Sequence, residues 1–156
     1  MVYPRMPRTD QPAAIFREVG NSRFAFFPGD LDRTFWRSGN TDLSQLIQNT
    51  VRWLMGSARP QVRITGDGVI EAFAWETEPG YALHILNYTN PNMTRGFIRR
   101  FYSIGPQKVE FDVAAGKRIT SVRTLRAARE LKFEQQDRKV RFEVPSVVDY
   151  EVVALT

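Results

Sequence analysis

The amino-acid sequence predicts a mainly β protein, an antiparallel β-sandwich preceded by an N-terminal strand-loop-helix piece. Two observations predict this fold. After residue 60, short runs rich in Val, Ile, Phe and Tyr alternate with Gly-, Pro- and Asp-containing turn signals, at the near-regular spacing of sandwich strands. Before residue 58, one segment carries the 3.6-residue apolar period of a helix. A chain of 156 residues accommodates one such domain and a fragment of another.

The N-terminal piece is assigned to residues 1–58, as a strand-loop-helix remnant of a larger domain. After a polar, proline-containing lead-in, the sequence predicts strands over residues 14–19 and 23–27, a polar loop over 30–40 and a helix over 41–55. In the helix, Leu43, Leu46, Ile47, Val51 and Leu54 fall on one face, with Asn40 or Thr41 as the N-cap. A piece of this size cannot bury its own aromatic side chains, so we expect it to pack on another surface.

The β-sandwich is assigned to residues 59–156. Its strands are predicted over residues 62–64, 69–75, 81–88, 97–102, 108–113, 118–125, 139–144 and 147–154. The segments 69–75 and 81–88 are apolar at both alternating sets of positions, which predicts central strands covered on both faces.

Composition excludes several kinds of chemistry. The sequence contains no cysteine and one histidine, His84, which removes disulfides, thiolate nucleophiles and metal sites rich in Cys or His. We therefore predict no metal and no cofactor. No apolar run is long enough to span a membrane and no secretory signal is visible, so we expect no membrane association and, by default, a cytoplasmic location.

The formal net charge of +5 is concentrated in one stretch. Between Arg95 and Lys132 there are ten basic and three acidic residues, an excess of 10 − 3 = +7. The basic residues alternate with apolar ones, as in residues 108–113, which is typical of the solvated face of a strand. We therefore favour solvated strand faces over a nucleic-acid-binding surface, and expect no nucleic-acid partner.

Candidate acid–base residues have simpler interpretations. Asp30 and Asp32 could form a carboxylate pair, but acids in such a loop more often form turns, and Arg33 is available for an ion pair. We interpret Glu76 and Glu78, beside the Pro79-Gly80 turn, in the same way. His84 lies within an apolar strand and is predicted to be a packed, hydrogen-bonded residue. No catalytic residue is assigned.

Aromatic side chains give the candidate carbohydrate-binding residues, which are Arg33, Phe35, Trp36 and Arg37. They and Tyr102 either stack on a sugar ring or fill the interface between the two segments, and the sequence leaves both interpretations open. Asn87-Tyr88-Thr89 and Asn92-Met93-Thr94 match the N-glycosylation pattern, which we predict to be unused without a secretion signal.

Several stretches resemble a known family. Residues 23–36, 40–43 (Asn-Thr-Asp-Leu) and 49–53 (Asn-Thr-Val-Arg-Trp) resemble the end of a flavodoxin-like trimerisation domain. Residues 84–91 (His-Ile-Leu-Asn-Tyr-Thr-Asn-Pro) and 144–153 resemble strands of the small C-terminal β domain that follows it. Both domains occur, after a catalytic barrel, in bacterial glycoside hydrolases similar to certain beta-galactosidases.

The resemblance implies a non-catalytic C-terminal segment of a glycoside hydrolase, serving packing and subunit assembly. In that family two carboxylates on the barrel perform catalysis, and no barrel motif occurs in this sequence. The expected partners are the rest of a parent polypeptide or a second copy of the chain, as in a homo-oligomer, and carbohydrate. The alternative function is a stand-alone carbohydrate-binding module that uses Trp36, Trp75 or Tyr102 as stacking platforms.

Overall fold

The computed structural model describes residues 9–90 and 100–156. The chain divides into two compact units, Met1–Arg59 and Pro60–Thr156. The predicted fold class is confirmed, since two antiparallel sheets form a sandwich and an α/β piece precedes them.

The first unit begins with a β-hairpin. Strand β1 (Ile15–Val19) pairs antiparallel with β2 (Ser22–Phe26), and Ile15 lies opposite Phe26. Gly20 occupies the tight turn with a φ of +56°, a left-handed conformation that favours glycine.

Two helices follow, α1 (Leu31–Ser38) and α2 (Thr41–Met55). The predicted loop over residues 30–40 is wrong, because most of it is α1. The residues at the two ends of α1 bound it. Asp30 occupies the N-cap, and Gly39, with a φ of +61°, donates its backbone N–H to the Phe35 carbonyl at 2.8 Å. Helix α2 is confirmed over its predicted range.

The first unit has almost no interior. One face of the hairpin packs on α2, where the Phe16 and Trp53 rings meet edge to face at 5.2 Å and Arg23 donates to the Trp53 carbonyl at 2.7 Å. The other face exposes Val19, Phe24 and Phe26. Among the described residues of this unit, no hydrophobic side chain is buried, and Thr50 is the only buried residue.

Within residues 60–90 and 100–156, the second unit contains nine strands. They are β3 (Val62–Thr65), β4 (Ile70–Glu76), β5 (Tyr81–Asn87), β6 (Gln107–Asp112), β7 (Val122–Thr124), β8 (Arg129–Glu130), β9 (Phe133–Gln136), β10 (Lys139–Val144) and β11 (Tyr150–Leu155). A four-stranded sheet has the order β3-β6-β10-β9, and a five-stranded sheet has the order β4-β5-β11-β7-β8. Every pairing is antiparallel.

The sandwich core lies between these sheets. The fully buried side chains come from both, including Val109, Phe111 and Val140 on one side and Leu83 and Ile85 on the other. The alternation of buried and outward residues is complete in β5, β10 and β11.

Four strand predictions differ from the structure. Strand β4 is an edge strand that exposes Phe73 and Trp75, so the prediction of a central, doubly covered strand is wrong for β4. Strands β8 and β9 were not predicted, and β7 and β11 begin later than expected. Of the predicted strand over residues 97–102, residues 97–99 lie outside the described residues and residues 100–102 are not in a strand.

Candidate functional site

The outer faces of the two sheets differ in chemistry. The outer face of the four-stranded sheet is charged: Glu110 lies between Arg63 and Arg141 in the register, and its carboxylate is 3.6 Å from Lys139 Nζ and 3.8 Å from Arg141 Nε. Lys108 belongs to the same face. This is the solvated strand face that alternating basic and apolar residues indicate.

The outer face of the five-stranded sheet is apolar at its centre, while Glu71 of β4 and Arg123 of β7 lie on the same face nearer the sheet edges. Leu83, Ile85, Val153 and Leu155 point into the core, so their neighbours in β5 and β11 point outward. We call the following set the apolar outer face: Phe73, Trp75, Ala82, His84, Leu86, Tyr150, Val152 and Ala154. Its central row runs from Phe73 through His84 to Val152.

His84 is the one polar side chain in the middle of that face. It is half-buried between Phe73 and Val152, which flank it in the register. Among the described residues, its imidazole has no hydrogen-bond partner. The prediction of an internally hydrogen-bonded histidine is therefore wrong for the part of the chain that the structure describes, because His84 faces outward and its neighbours across the sheet are apolar.

An aromatic cleft opens at one end of the apolar outer face. It measures about 340 Å³ and is lined by His84, Leu86, Asn87, Tyr88, Phe101, Asp149, Tyr150 and Glu151. Three of its rings are half-exposed: Tyr88 at 39%, Phe101 at 51% and Tyr150 at 48%. Ligand clefts of roughly 300–1,000 Å³ commonly combine apolar walls with a few polar groups. The aromatic cleft has this character.

Asn87 holds one wall of the aromatic cleft in place. Its buried side-chain nitrogen donates to the Tyr102 carbonyl at 2.7 Å and to the Val148 carbonyl at 2.6 Å, while its oxygen accepts from Thr89 N–H at 2.9 Å. These bonds connect the end of β5 to the segments that carry Phe101 and Asp149. A glycosylated Asn87 nitrogen is incompatible with this arrangement, in agreement with the prediction that the pattern is unused. Asn92 lies outside the described residues.

Glu151 supports the opposite side. This buried carboxylate accepts the backbone N–H groups of Arg126 at 2.9 Å, Ala127 at 3.0 Å and Val152 at 2.8 Å. Its oxygens are therefore occupied, and Glu151 is a structural anion.

Tyr150 is fixed from one side. The Arg126 guanidinium lies 4.6 Å from the centre of the Tyr150 ring and forms an ion pair with Asp149. Arg126 lines a neighbouring cleft of about 350 Å³, which Tyr150 also borders, but it does not line the aromatic cleft. The cation therefore orients the ring while leaving its cleft side open.

The predicted carbohydrate-binding residues Arg33, Phe35, Trp36 and Arg37 all lie on α1, not in a loop. Arg33, Trp36 and Arg37 are exposed, Trp36 at 86%, and Phe35 is half-buried. The i, i+3, i+4 spacing brings the three exposed side chains to one face of the helix. They form a convex surface, and their role in sugar binding stays a prediction.

The other predicted stacking platforms are separate from them. Trp75 lies on the edge strand β4, exposed at 61%. Tyr102 is half-buried, with the Arg100 guanidinium 5.4 Å from its ring centre. Neither belongs to the aromatic cleft. The rings that do, Tyr88, Phe101 and Tyr150, were not singled out from the sequence.

The acid pair Asp30 and Asp32 has a structural role. Asp30 forms an ion pair with Arg33 at 3.0 Å, as its simpler interpretation predicted. A hydrogen bond to the Arg33 backbone amide lowers the pKa of Asp32 below its ordinary value. With its pKa lowered, Asp32 is a carboxylate near neutral pH and has no proton to donate as a general acid. Glu76 ends β4, and Glu78 is exposed in the turn after it.

The basic stretch contributes to more than one surface. Lys117 and Arg118, with Arg138, line a third cleft of about 870 Å³ at the end of the sandwich. Lys108 and Arg123 project from different sheets. No group of three or more metal-ligating side chains, and no helix able to cross a membrane, occurs in residues 9–90 and 100–156.

Comparison with known proteins gives a likeness of fold. No family model and no curated protein sequence matches the chain. Among solved structures, alpha-L-fucosidase isoenzyme 2 from Paenibacillus thiaminolyticus is similar, with a TM-score of 0.72 at 17% sequence identity. The likeness covers 98% of this chain and 23% of that enzyme. The chain therefore shares the fold of a part of a glycoside hydrolase and spans about a quarter of its length.

Proposed function

We propose that this chain is a non-catalytic accessory segment of a glycoside hydrolase, serving packing and subunit assembly. The parent enzyme is of the type that combines a catalytic barrel, a flavodoxin-like trimerisation domain and a C-terminal β domain, as in the beta-galactosidases that the sequence resembles. The fold likeness to part of an alpha-L-fucosidase supports a glycoside hydrolase as the parent.

The assembly role rests on the apolar side chains that the first unit leaves exposed. Its hairpin is covered by α2 on one face and exposes Val19, Phe24 and Phe26 on the other. Helix α2 itself leaves Val51 and Leu54 exposed. Neighbouring apolar side chains of this size are normally covered by another polypeptide surface. The cover is the rest of the parent polypeptide in the enzyme, and a second copy of the chain when it is isolated.

Analytical ultracentrifugation of the isolated chain tests this role. We expect association that increases with protein concentration and that falls when Phe24 and Phe26 are both replaced by Ser. The matched control is Val69→Ser, which removes a more exposed apolar side chain from the second unit. A chain that stays monomeric at high concentration, or that associates equally well with both Phe→Ser changes, refutes the assembly role.

The absence of catalysis is tested separately. The isolated, folded chain is expected to hydrolyse no aryl glycoside, in assays with galactosides and fucosides. Hydrolysis that follows the protein through purification and disappears on Asp30→Asn or Asp32→Asn refutes a non-catalytic segment.

The second candidate function is a stand-alone carbohydrate-binding module. The aromatic cleft is the observation that favours it, because half-exposed rings beside hydrogen-bonding groups suit a sugar. The two functions are compatible, since an accessory segment of a glycosidase that binds sugar would hold the enzyme close to a glycan.

A further inference from the structure

We infer that the aromatic cleft at the end of β5 and β11 binds a neutral pyranose residue of a glycan. This inference rests on the carbohydrate-binding function and gives it a site different from the residues that the sequence suggested. The site consists of Tyr88, Phe101 and Tyr150 as apolar surfaces and of His84 and Asp149 as hydrogen-bonding groups.

The rings provide stacking surfaces of the right kind. A pyranose presents a face of C–H bonds, which packs on the face of an aromatic ring, while its hydroxyls point outward around its edge. Each of the three rings is about half-exposed, so a bound sugar can bury more of its solvent-accessible surface. The Arg126 guanidinium already orients Tyr150 from the neighbouring cleft, which reduces the entropy lost when a ligand stacks on the other side.

The polar groups select a hydroxylated ligand over a purely apolar one. Among the described residues, the His84 imidazole lacks a hydrogen-bond partner, and it lines the cleft from the middle of an apolar face. An apolar occupant would bury it unpaired, at a cost that a sugar hydroxyl avoids. Asn87 and Glu151 also line the cleft, but their side chains are already bonded to backbone groups.

The charges favour a neutral ligand. Asp149 and Glu151 contribute two carboxylates to the lining, and Arg126, which pairs with Asp149 from the neighbouring cleft, supplies a single compensating cation in contact with them. A carboxylated sugar would bring a third negative charge into this region. The cleft therefore discriminates between a hexose or deoxyhexose and a uronic acid.

The experiment measures binding of methyl glycosides to the full chain by saturation-transfer NMR and calorimetry. The probes are the methyl glycosides of galactose, fucose, glucose and glucuronic acid. We expect saturable binding of at least one neutral glycoside, with a Kd on the order of millimolar for a single residue, and weaker binding of the glucuronide.

Substitutions locate the site. Tyr150→Ala and His84→Ala are each expected to raise the Kd about tenfold, whereas Tyr150→Phe retains the ring and most of the affinity. Leu46→Ala on α2, an exposed apolar side chain outside the cleft, is the control that should leave the Kd unchanged. Trp36→Ala on α1 tests the residues that the sequence suggested, and it should also leave the Kd unchanged if the aromatic cleft is the site. If Tyr150→Ala fails to fold, Phe101→Ala makes the same test at a residue outside any strand.

Two results overturn the inference and are distinguishable. Binding that survives the His84, Phe101 and Tyr150 changes refutes the aromatic cleft and leaves the carbohydrate-binding function intact, and its loss on Trp36→Ala would then assign the site to α1. No binding of any probe by the folded chain refutes both the cleft and that function, while the assembly role is judged by ultracentrifugation.

Discussion

Replacing Asn87 by Asp changes one side-chain nitrogen to oxygen at the junction that supports the aromatic cleft. The native nitrogen donates to the Tyr102 and Val148 carbonyls at 2.7 and 2.6 Å, with the Val147 carbonyl at 3.2 Å. A carboxylate cannot donate to them. Because Asp and Asn have nearly the same shape, the change creates no cavity, and the cost is electrostatic and hydrogen-bonding alone.

The magnitude follows from the two short bonds. A buried carbonyl left without its donor costs about 1–3 kcal/mol, so the two carbonyls cost about 2–6 kcal/mol, and repulsion from the buried carboxylate adds to this. We expect the free energy of unfolding of the second unit to fall by about 4 kcal/mol. For a unit of this size, that corresponds to a drop in Tm of roughly 15–30 °C.

Thermal and urea unfolding measure this loss, with Gln136→Glu as the control. Gln136 is exposed at the end of β9, so the same amide-to-carboxylate change there should leave the free energy of unfolding within about 0.5 kcal/mol of the native chain. The deficit of Asn87→Asp should shrink in acid, because a protonated carboxyl group can donate again. A loss below about 1 kcal/mol, or one that does not depend on pH, would refute the assigned bonds.

Three further predictions concern other parts of the chain. Gly80→Ala should lower the free energy of unfolding by about 1–3 kcal/mol, because a Cβ there would overlap the Leu155 backbone carbonyl; calorimetry should show no comparable loss for Gly105→Ala, which has open space around it. Asn40→Ala should cost about 1 kcal/mol of helix stability, since its oxygen accepts the Asp42 and Leu43 N–H groups at 2.8 and 3.2 Å; circular dichroism should show that Asn40→Ser retains most of the helix. Carboxyl NMR titration should give a midpoint for Asp32 below its ordinary value, so its contribution to stability is present above the unfolded pKa and is lost as pH falls through the folded pKa; a normal midpoint would contradict the hydrogen bond to Arg33.

The sequence predicts the elements of this fold that local patterns determine. The apolar period of residues 41–55 identifies α2, and the alternating residues of β10 identify a half-buried strand. The sequence does not distinguish helix α1 from a loop, because Asp30 and Gly39, which bound it, are also typical loop residues, and only eight residues separate them. Strand β4 looked central because its sequence is apolar, but sheet order is a tertiary property that apolar content does not determine.

The candidate site depends on tertiary structure throughout. Tyr88, Phe101 and Tyr150 are far apart in sequence, and they meet because Tyr150 lies opposite Leu86 in the register of β5 and β11. No local pattern determines that register. The hydrogen bonds of Asn87 and Glu151 are equally long-range, so the sequence indicates neither structural role, and Asn87 is marked there only by the glycosylation pattern. The sequence carries one signal for the site. The outward-facing residues of β5 are Ala82, His84 and Leu86, a single histidine between two apolar residues.

The order of the five-stranded sheet has a consequence for biosynthesis. Strand β11 is the last of the nine to be made, yet it lies in the middle of its sheet, between β5 and β7. Until residue 155 has left the ribosome, the β4-β5 and β7-β8 pairs have no strand to join them, and the edges of β5 and β7 that pair with β11 stay open. The sandwich therefore closes in one late, long-range step, which is slow for chains with distant contacts. During that interval the unpaired strand edges favour aggregation.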